Sequence, residues 1–222
     1  MPVRTLRWID EYCGLISYLE STGSDMRTSL PLIYDAMLVL PNKGERPFGP
    51  LAAFKLGDWI YKDQHVKDSS NKLCNIIIVF LLAHELGHLV HNHQGGLSGI
   101  RSQAQEHEAD EYAFDIMAQI GINPIGLVFL FSAAAMMEGG QDTHPLSGTR
   151  VIAAAEQMEK RPRSFIDHLE PDPESWVPRI LNEAHKIRDV ISLIDQTKRR
   201  IGILRTAQHT SFDQLPDLIF HH

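Results

Sequence analysis

The sequence predicts an α+β fold that is mostly helical. Two observations predict the helices: apolar residues recur every three or four positions along most of the chain, and Gly, Pro and Asn cut that pattern into helix-sized pieces. One observation predicts strands: over residues 53–62 apolar and polar residues alternate in part across a two-residue turn that begins with Gly57. With 222 residues the chain is long enough for one sizeable core, or for a core with an appended helical segment.

Taken in order, Trp8, Tyr12, Leu15 and Leu19 share one helical face, so the chain opens with an amphipathic helix that Thr22-Gly23-Ser24-Asp25 ends. Residues 31–40 form a second apolar element whose type the pattern leaves open. Pro41-Asn42-Lys43-Gly44 and Arg46-Pro47-Phe48-Gly49-Pro50 read as loop. Ala53-Phe54-Lys55-Leu56, Gly57-Asp58 and Trp59-Ile60-Tyr61-Lys62 then read as a β-hairpin. Asp68-Ser69-Ser70 supplies N-cap candidates for the next helix, which runs through an apolar stretch over 76–83 and ends by Gly95-Gly96.

A further helix covers about 103–120 and is closed by Gly121. Asn123-Pro124 places a cap and a first-position proline, so another helix follows at once and Gly139-Gly140 stops it. After a loop carrying Thr143-His144-Pro145, a helix with Val151, Ala154, Ala155 and Met158 ends before Arg161-Pro162. Residues 167–173, rich in proline and acid, read as a linker. Trp176, Ile180, Ile187, Ile191 and Ile194 mark a long amphipathic helix beyond it. No internal repeat is evident. These breaks divide the chain into a helical segment 1–50, a core 51–161 and a C-terminal helical segment 162–222.

Composition narrows the function classes. A net charge of −7 without a dense basic run gives no reason to expect nucleic-acid binding, and Lys198-Arg199-Arg200 with Arg205 reads as a solvated helix end. Cys13 and Cys74 are the only cysteines, form no CxxC pair, and read as buried thiols. The N-terminus has two early arginines but no long apolar stretch or small-residue cleavage site, so a cytoplasmic location is expected. A membrane span needs about 20 predominantly apolar residues. The run over 76–83 is too short, and the run over 120–137 is broken by Asn123, Pro124, Gly126 and Ser132, so no integral membrane segment is expected.

The chemistry centres on His84-Glu85-Leu86-Gly87-His88. Residues four apart lie on one helix face, so the two imidazoles reach a common metal, and Glu85 beside the first can take a proton from bound water. This is the zinc-peptidase signature. The apolar run before it places the helix in the interior, where two histidines and a carboxylate need partners. A zincin-type metallopeptidase core is therefore expected, its active-site helix beside the hairpin, with one Zn2+ per chain.

A catalytic zinc takes three protein ligands and keeps one position for water. The best supplier of the third is Gln105-Glu106-His107-Glu108-Ala109-Asp110-Glu111, where Glu106 and Asp110 share a face with Ala113 and Met117. Glu108 and Glu111 fit a solvated first turn favoured by the helix dipole.

At this point the chain resembles a known family. Glu106-x-x-Ala109-Asp110 after the His84 motif is similar to the gluzincin pattern of HtpX and the type I CAAX prenyl proteases. Ala53-Phe54 with Trp59-Ile60-Tyr61 resembles the hairpin before that family's active-site helix, and Ala83 and His93 also fit. So do Gly121-Ile122-Asn123-Pro124 and the segment Thr143-His144-Pro145 with Arg150.

The resemblance covers about 51–160. It implies zinc ligands His84, His88 and Glu106, a general base in Glu85, and Asp110 holding the outer nitrogen of His84. It also implies that His144 and Arg150 face the metal from the far side, stabilising the oxyanion, or that His144 takes the fourth zinc position in a latent state. The strand near 54–56 would hold an extended peptide by β-augmentation. The family's membrane members carry spans that this chain lacks, so a soluble protein or peptide is the expected substrate. A regulatory partner or second copy would engage 1–50 or 162–222.

Three alternatives bear on this reading. The metzincin pattern HExxHxxGxxH fails, because His91 occupies its glycine position and Gln94 its third-histidine position; His91 and His93 read as helix-end residues near solvent. ImmA/IrrE-type gluzincins, regulatory proteases, share HELGH and Glu-x-x-Ala. They usually have Asn where Asp110 stands here and lack the Thr-His-Pro…Arg segment. A non-catalytic zinc scaffold closed by His144 is the alternative from a different class, although a purely structural site has no use for Glu85.

Overall fold

The computed structural model describes residues 3–24, 49–93, 100–127, 148–185 and 188–189. Two compact units divide the chain, one of residues 1–74 with 193–222 and one of residues 75–192.

In the first unit, α1 (Val3–Ser21) buries Tyr12, Leu15 and Leu19, as its apolar spacing predicts, and Ile9, Cys13 and Ile16 with them. It ends in a Schellman motif: Gly23 takes φ 73, its N–H donates to Glu20 O (3.0 Å), and Ser24 N–H donates to Leu19 O (3.0 Å). The Cys13 and Cys74 thiols are both pushed up, chiefly by burial, which leaves them unreactive.

The expected hairpin is absent, and no strand occurs among the described residues. Pro50 at the first helical position starts a single turn, α2 (Pro50–Ala53), which closes as α1 does. Lys55 sits at φ 55, its N–H bonded to Ala52 O (3.0 Å), and Leu56 N–H donates to Leu51 O (2.9 Å). A 3-10 turn over Asp58–Lys62 follows and buries Ile60. These local bonds use the backbone groups a β-ladder would need, and Phe54 and Ile60 are buried without alternation. No strand is available at 54–56 to hold a peptide.

α3 (Gln64–Val90) starts before the cap candidates read from the sequence. Asp63 is the cap: its Oδ1 accepts the N–H groups of His65 (2.8 Å) and Val66 (3.3 Å). The helix ends at Asn92 rather than at Gly95-Gly96, which lie outside the described residues. Asn92 adopts φ 52, with its N–H on Leu89 O (3.2 Å) and His93 N–H on His88 O (2.9 Å). By length and composition alone α3 is long enough to cross a membrane. It buries Ile77, Phe80 and Ala83, exposes Leu82, Leu86, Leu89 and Val90, and carries His84, Glu85 and His88 in its last turns.

The second unit packs the end of α3 with α4 (Ile100–Gln119), α5 (Gly148–Lys160) and α6, a helix over 173–185. Its core joins Phe80, Ala113, Phe114, Met117, Ala154, Ala155, Met158, Phe165, Ile180 and Ala184. Each large side chain buried there contributes roughly 1.5–3 kcal/mol.

α4 closes at Gly121 (φ 66), with Ile122 N–H on Met117 O (2.9 Å). Asn123 Oδ1 then caps the next segment by accepting Ile125 N–H (3.0 Å). The expected linker is pinned at its start: His168 Nε2 bonds Gln119 O (2.8 Å), and the backbone of 166–168 packs so close to Gly121 that no side chain fits there. Elements expected at 31–40 and beyond 189, the stop at Gly139-Gly140 and the loop with His144 lie outside the described residues.

Candidate metal centre

Gly87 sets the site's dimensions. A Cβ on Gly87 would lie 3.0 Å from Ala109 Cα and 3.2 Å from Ala109 O, tighter than a side chain normally packs. α3 and α4 therefore meet backbone to backbone, which only Gly facing Ala allows. His84 and His88 stand three before and one after Gly87, and Glu106 and Asp110 stand three before and one after Ala109. By helical geometry each pair flanks the contact on its own helix, so the four side chains converge across it.

His84 Nε2 lies 3.1 Å from His88 Nε2, 3.3 Å from Glu106 Oε2, and Glu106 Oε1 lies 3.4 Å from His88 Nε2. The two nitrogens and the carboxylate form a triangle of donors in which Oε2 faces His84 and Oε1 faces His88; one donor atom per residue lies within 4.8 Å of the others, and the three residues could hold one metal ion. His84 and Glu106 are buried. Glu85, next on the helix, is exposed to solvent.

Each histidine is fixed from behind. His84 Nδ1 lies 2.9 Å from Asp110 Oδ1, so the carboxylate orients the ring and leaves Nε2 toward the triangle. Arg150, in the first turn of α5, donates both Nε and Nη2 to Asp110 and Nη1 to Glu106 Oε2 (3.2 Å). A planar guanidinium suits this fork-on-carboxylate geometry. Burial disfavours a charged His84 ring, but the Asp110 and Glu106 carboxylates outweigh it and hold the imidazole above the ordinary histidine range. Among the described residues, two buried carboxylates face one buried guanidinium and the His84 ring, so a cation that takes the place of a His84 proton keeps the charge balanced.

His88 is fixed by a residue that sequence reasoning put near solvent. The His93 side chain is only 6% exposed; its Nδ1 lies 2.8 Å from His88 Nδ1 and its Nε2 2.9 Å from Glu108 Oε2. This bond to His93 holds the Glu108 carboxyl below the usual carboxylate range. The missed signal was Asn92, a residue that tolerates the left-handed conformation and so can fold His93 back over the helix end.

Of the residues singled out in the sequence, His84, His88, Glu106, Asp110 and Arg150 come together, and Glu85 follows His84 on the helix. The Arg150 guanidinium is engaged by Asp110 and Glu106. His144 lies outside the described residues.

A helix carrying two histidines, completed by a carboxylate from a neighbouring helix, is the donor set of a metallopeptidase, and the comparisons agree with that class. The Peptidase U49 family model matches residues 55–170, just over half of the chain, and the chain belongs to that family. The curated relative metalloprotease LoiP of Escherichia coli (strain K12) is 40% identical over 62 residues, 26% of this chain and 25% of LoiP. The matched part thus spans about a quarter of that relative's length. No solved structure is matched. Family and relative together support a metalloprotease function.

Proposed function

We propose that the chain is a zinc-dependent metalloendopeptidase of the gluzincin type, similar in its motifs to HtpX and the type I CAAX prenyl proteases. The observation that carries this reading is the triangle of His84, His88 and Glu106. Ligands on a tetrahedral zinc with bonds of about 2.0–2.1 Å stand roughly 3.3 Å apart; here His84 Nε2 lies 3.1 Å from His88 Nε2 and 3.3 Å from Glu106 Oε2, while His88 Nε2 meets the other carboxylate oxygen at 3.4 Å. Zinc bound there would lower the pKa of a coordinated water and polarise the scissile carbonyl.

The chain's own residues supply the rest. His84 and His88 bind through Nε2 and Glu106 through its carboxylate, while Asp110 and Arg150 keep His84 and Glu106 in place. Glu85, exposed beside His84, takes the proton from water and returns it to the leaving amine. The substrate we propose is a protein or peptide segment. His144 we propose as an oxyanion donor, supported by Arg150, which the same segment brings to the cluster. His144→Ala then lowers kcat; a rise would instead show that His144 holds the metal in a latent state.

Glu85→Gln tests the mechanism. It should lower peptide cleavage by about 10²–10⁴-fold while bound zinc stays stoichiometric by elemental analysis. Cleavage at the wild-type rate would remove Glu85 from the chemistry.

A further inference from the structure

We propose that His93 and Glu108 form a positioning relay that fixes the tautomer and orientation of His88. The inference rests on the metal reading of the triangle and goes beyond it, since neither residue touches the donor atoms. An ionised carboxylate can only accept, so the 2.9 Å bond between His93 Nε2 and Glu108 Oε2 places a proton on that nitrogen. In the proposed relay the His93 ring carries one proton, so that a ring donating at Nε2 offers Nδ1 as acceptor. The 2.8 Å bond between His93 Nδ1 and His88 Nδ1 then requires the proton on His88 Nδ1. His88 Nε2 is left with its lone pair, and that is the atom at the triangle, 3.1 Å from His84 Nε2.

The backbone reinforces the relay. Asn92 at φ 52 turns the chain so that His93 N–H also donates to His88 O (2.9 Å), and His93 is tied to the ligand through both main chain and ring. His91 stacks on the outer side of the His93 ring, with centroids 5.5 Å apart. The relay runs from the half-buried His88 through the buried His93 ring to Glu108, which is 57% exposed. Glu108 is thus a remote anchor that can be changed without opening the core.

The test uses the full chain with zinc as the only added ligand. Histidine ring ¹⁵N–¹H correlation on the metal-free protein should find His88 protonated at Nδ1, with mixed tautomers in His93→Ala and Glu108→Ala. Zinc affinity, measured by competition with a chelating dye, should fall about 10–100-fold in His93→Ala and by less in Glu108→Ala. Glu108→Gln, which keeps an acceptor oxygen, should recover most of the loss.

The metal-free Glu108→Ala chain should unfold at the wild-type temperature, separating positioning from folding. A wild-type chain that binds zinc beside a His93→Ala chain of equal affinity overturns the relay alone, as does a His88 ring protonated at Nε2. A wild-type chain that takes up no zinc overturns the metal reading and the relay with it.

Discussion

The two histidines of the candidate centre are held by opposite means. Behind His84 stands a buried ionic clamp: Asp110, 1% exposed, gripped by the Arg150 guanidinium that also reaches Glu106. Behind His88 stands a relay of imidazole ring and surface carboxylate, His93 and Glu108, which ends in solvent. Both turn Nε2 toward the same point. The difference is what each costs when broken: a buried charge stripped of its partner has nowhere to be solvated, whereas a surface carboxylate returns to water.

The largest expected effect comes from the clamp. Arg150→Met keeps much of the volume but leaves Asp110 and Glu106 facing each other, so metal-free stability should drop by about 3–5 kcal/mol, read from denaturant midpoints. A loss no larger than that of a surface substitution would show that the clamp is not the stronger arm. Saturating zinc should recover part of the loss, because a cation at the triangle offsets the negative charge that Arg150 no longer balances.

Next comes the contact that both arms share. Gly87→Val inserts a branched side chain against the Ala109 backbone, and overpacking of this kind costs roughly 1–3 kcal/mol. It should weaken zinc binding whether or not the arms are otherwise intact, because it separates α3 from α4. Gly87→Ala, which adds only the Cβ, should lose less affinity than Gly87→Val; no loss in either variant would mean that this contact does not set the spacing.

The smallest effect is on folding in the relay. Glu108→Ala should leave the thermal midpoint of the metal-free chain unchanged within the scatter of surface substitutions, even as zinc affinity falls. A large drop in midpoint would make Glu108 structural and erase the contrast between the arms.

Much of this site was legible from local pattern. His84 and His88 were readable as a pair because four-residue spacing on a helix is a short-range property, and Glu106 and Asp110 for the same reason. The helix stop at Gly121 was equally plain, since only a residue tolerant of positive φ closes a Schellman motif cheaply. The hairpin at 53–62 was misread because partial alternation is compatible with short helical turns whose apolar residues point inward, and Lys55 at φ 55 is not a residue that advertises a left-handed turn. His93 was misread because Asn92, not the later Gly95-Gly96, ends α3.

The sequence by itself determined the helical periodicity, the identity of the donors and their pairing along each helix, all set by interactions within a turn or two of chain. Only the tertiary structure decided how they face one another. Whether Glu106 reaches both imidazoles depends on how closely α3 and α4 approach, and that is set where Gly87 meets Ala109. Which carboxylates Arg150 engages, and whether His93 points to solvent or to His88, depends on chain direction after a helix start or stop. Residues far apart in sequence share a charge balance or a hydrogen bond only once packing has fixed the distance between their helices.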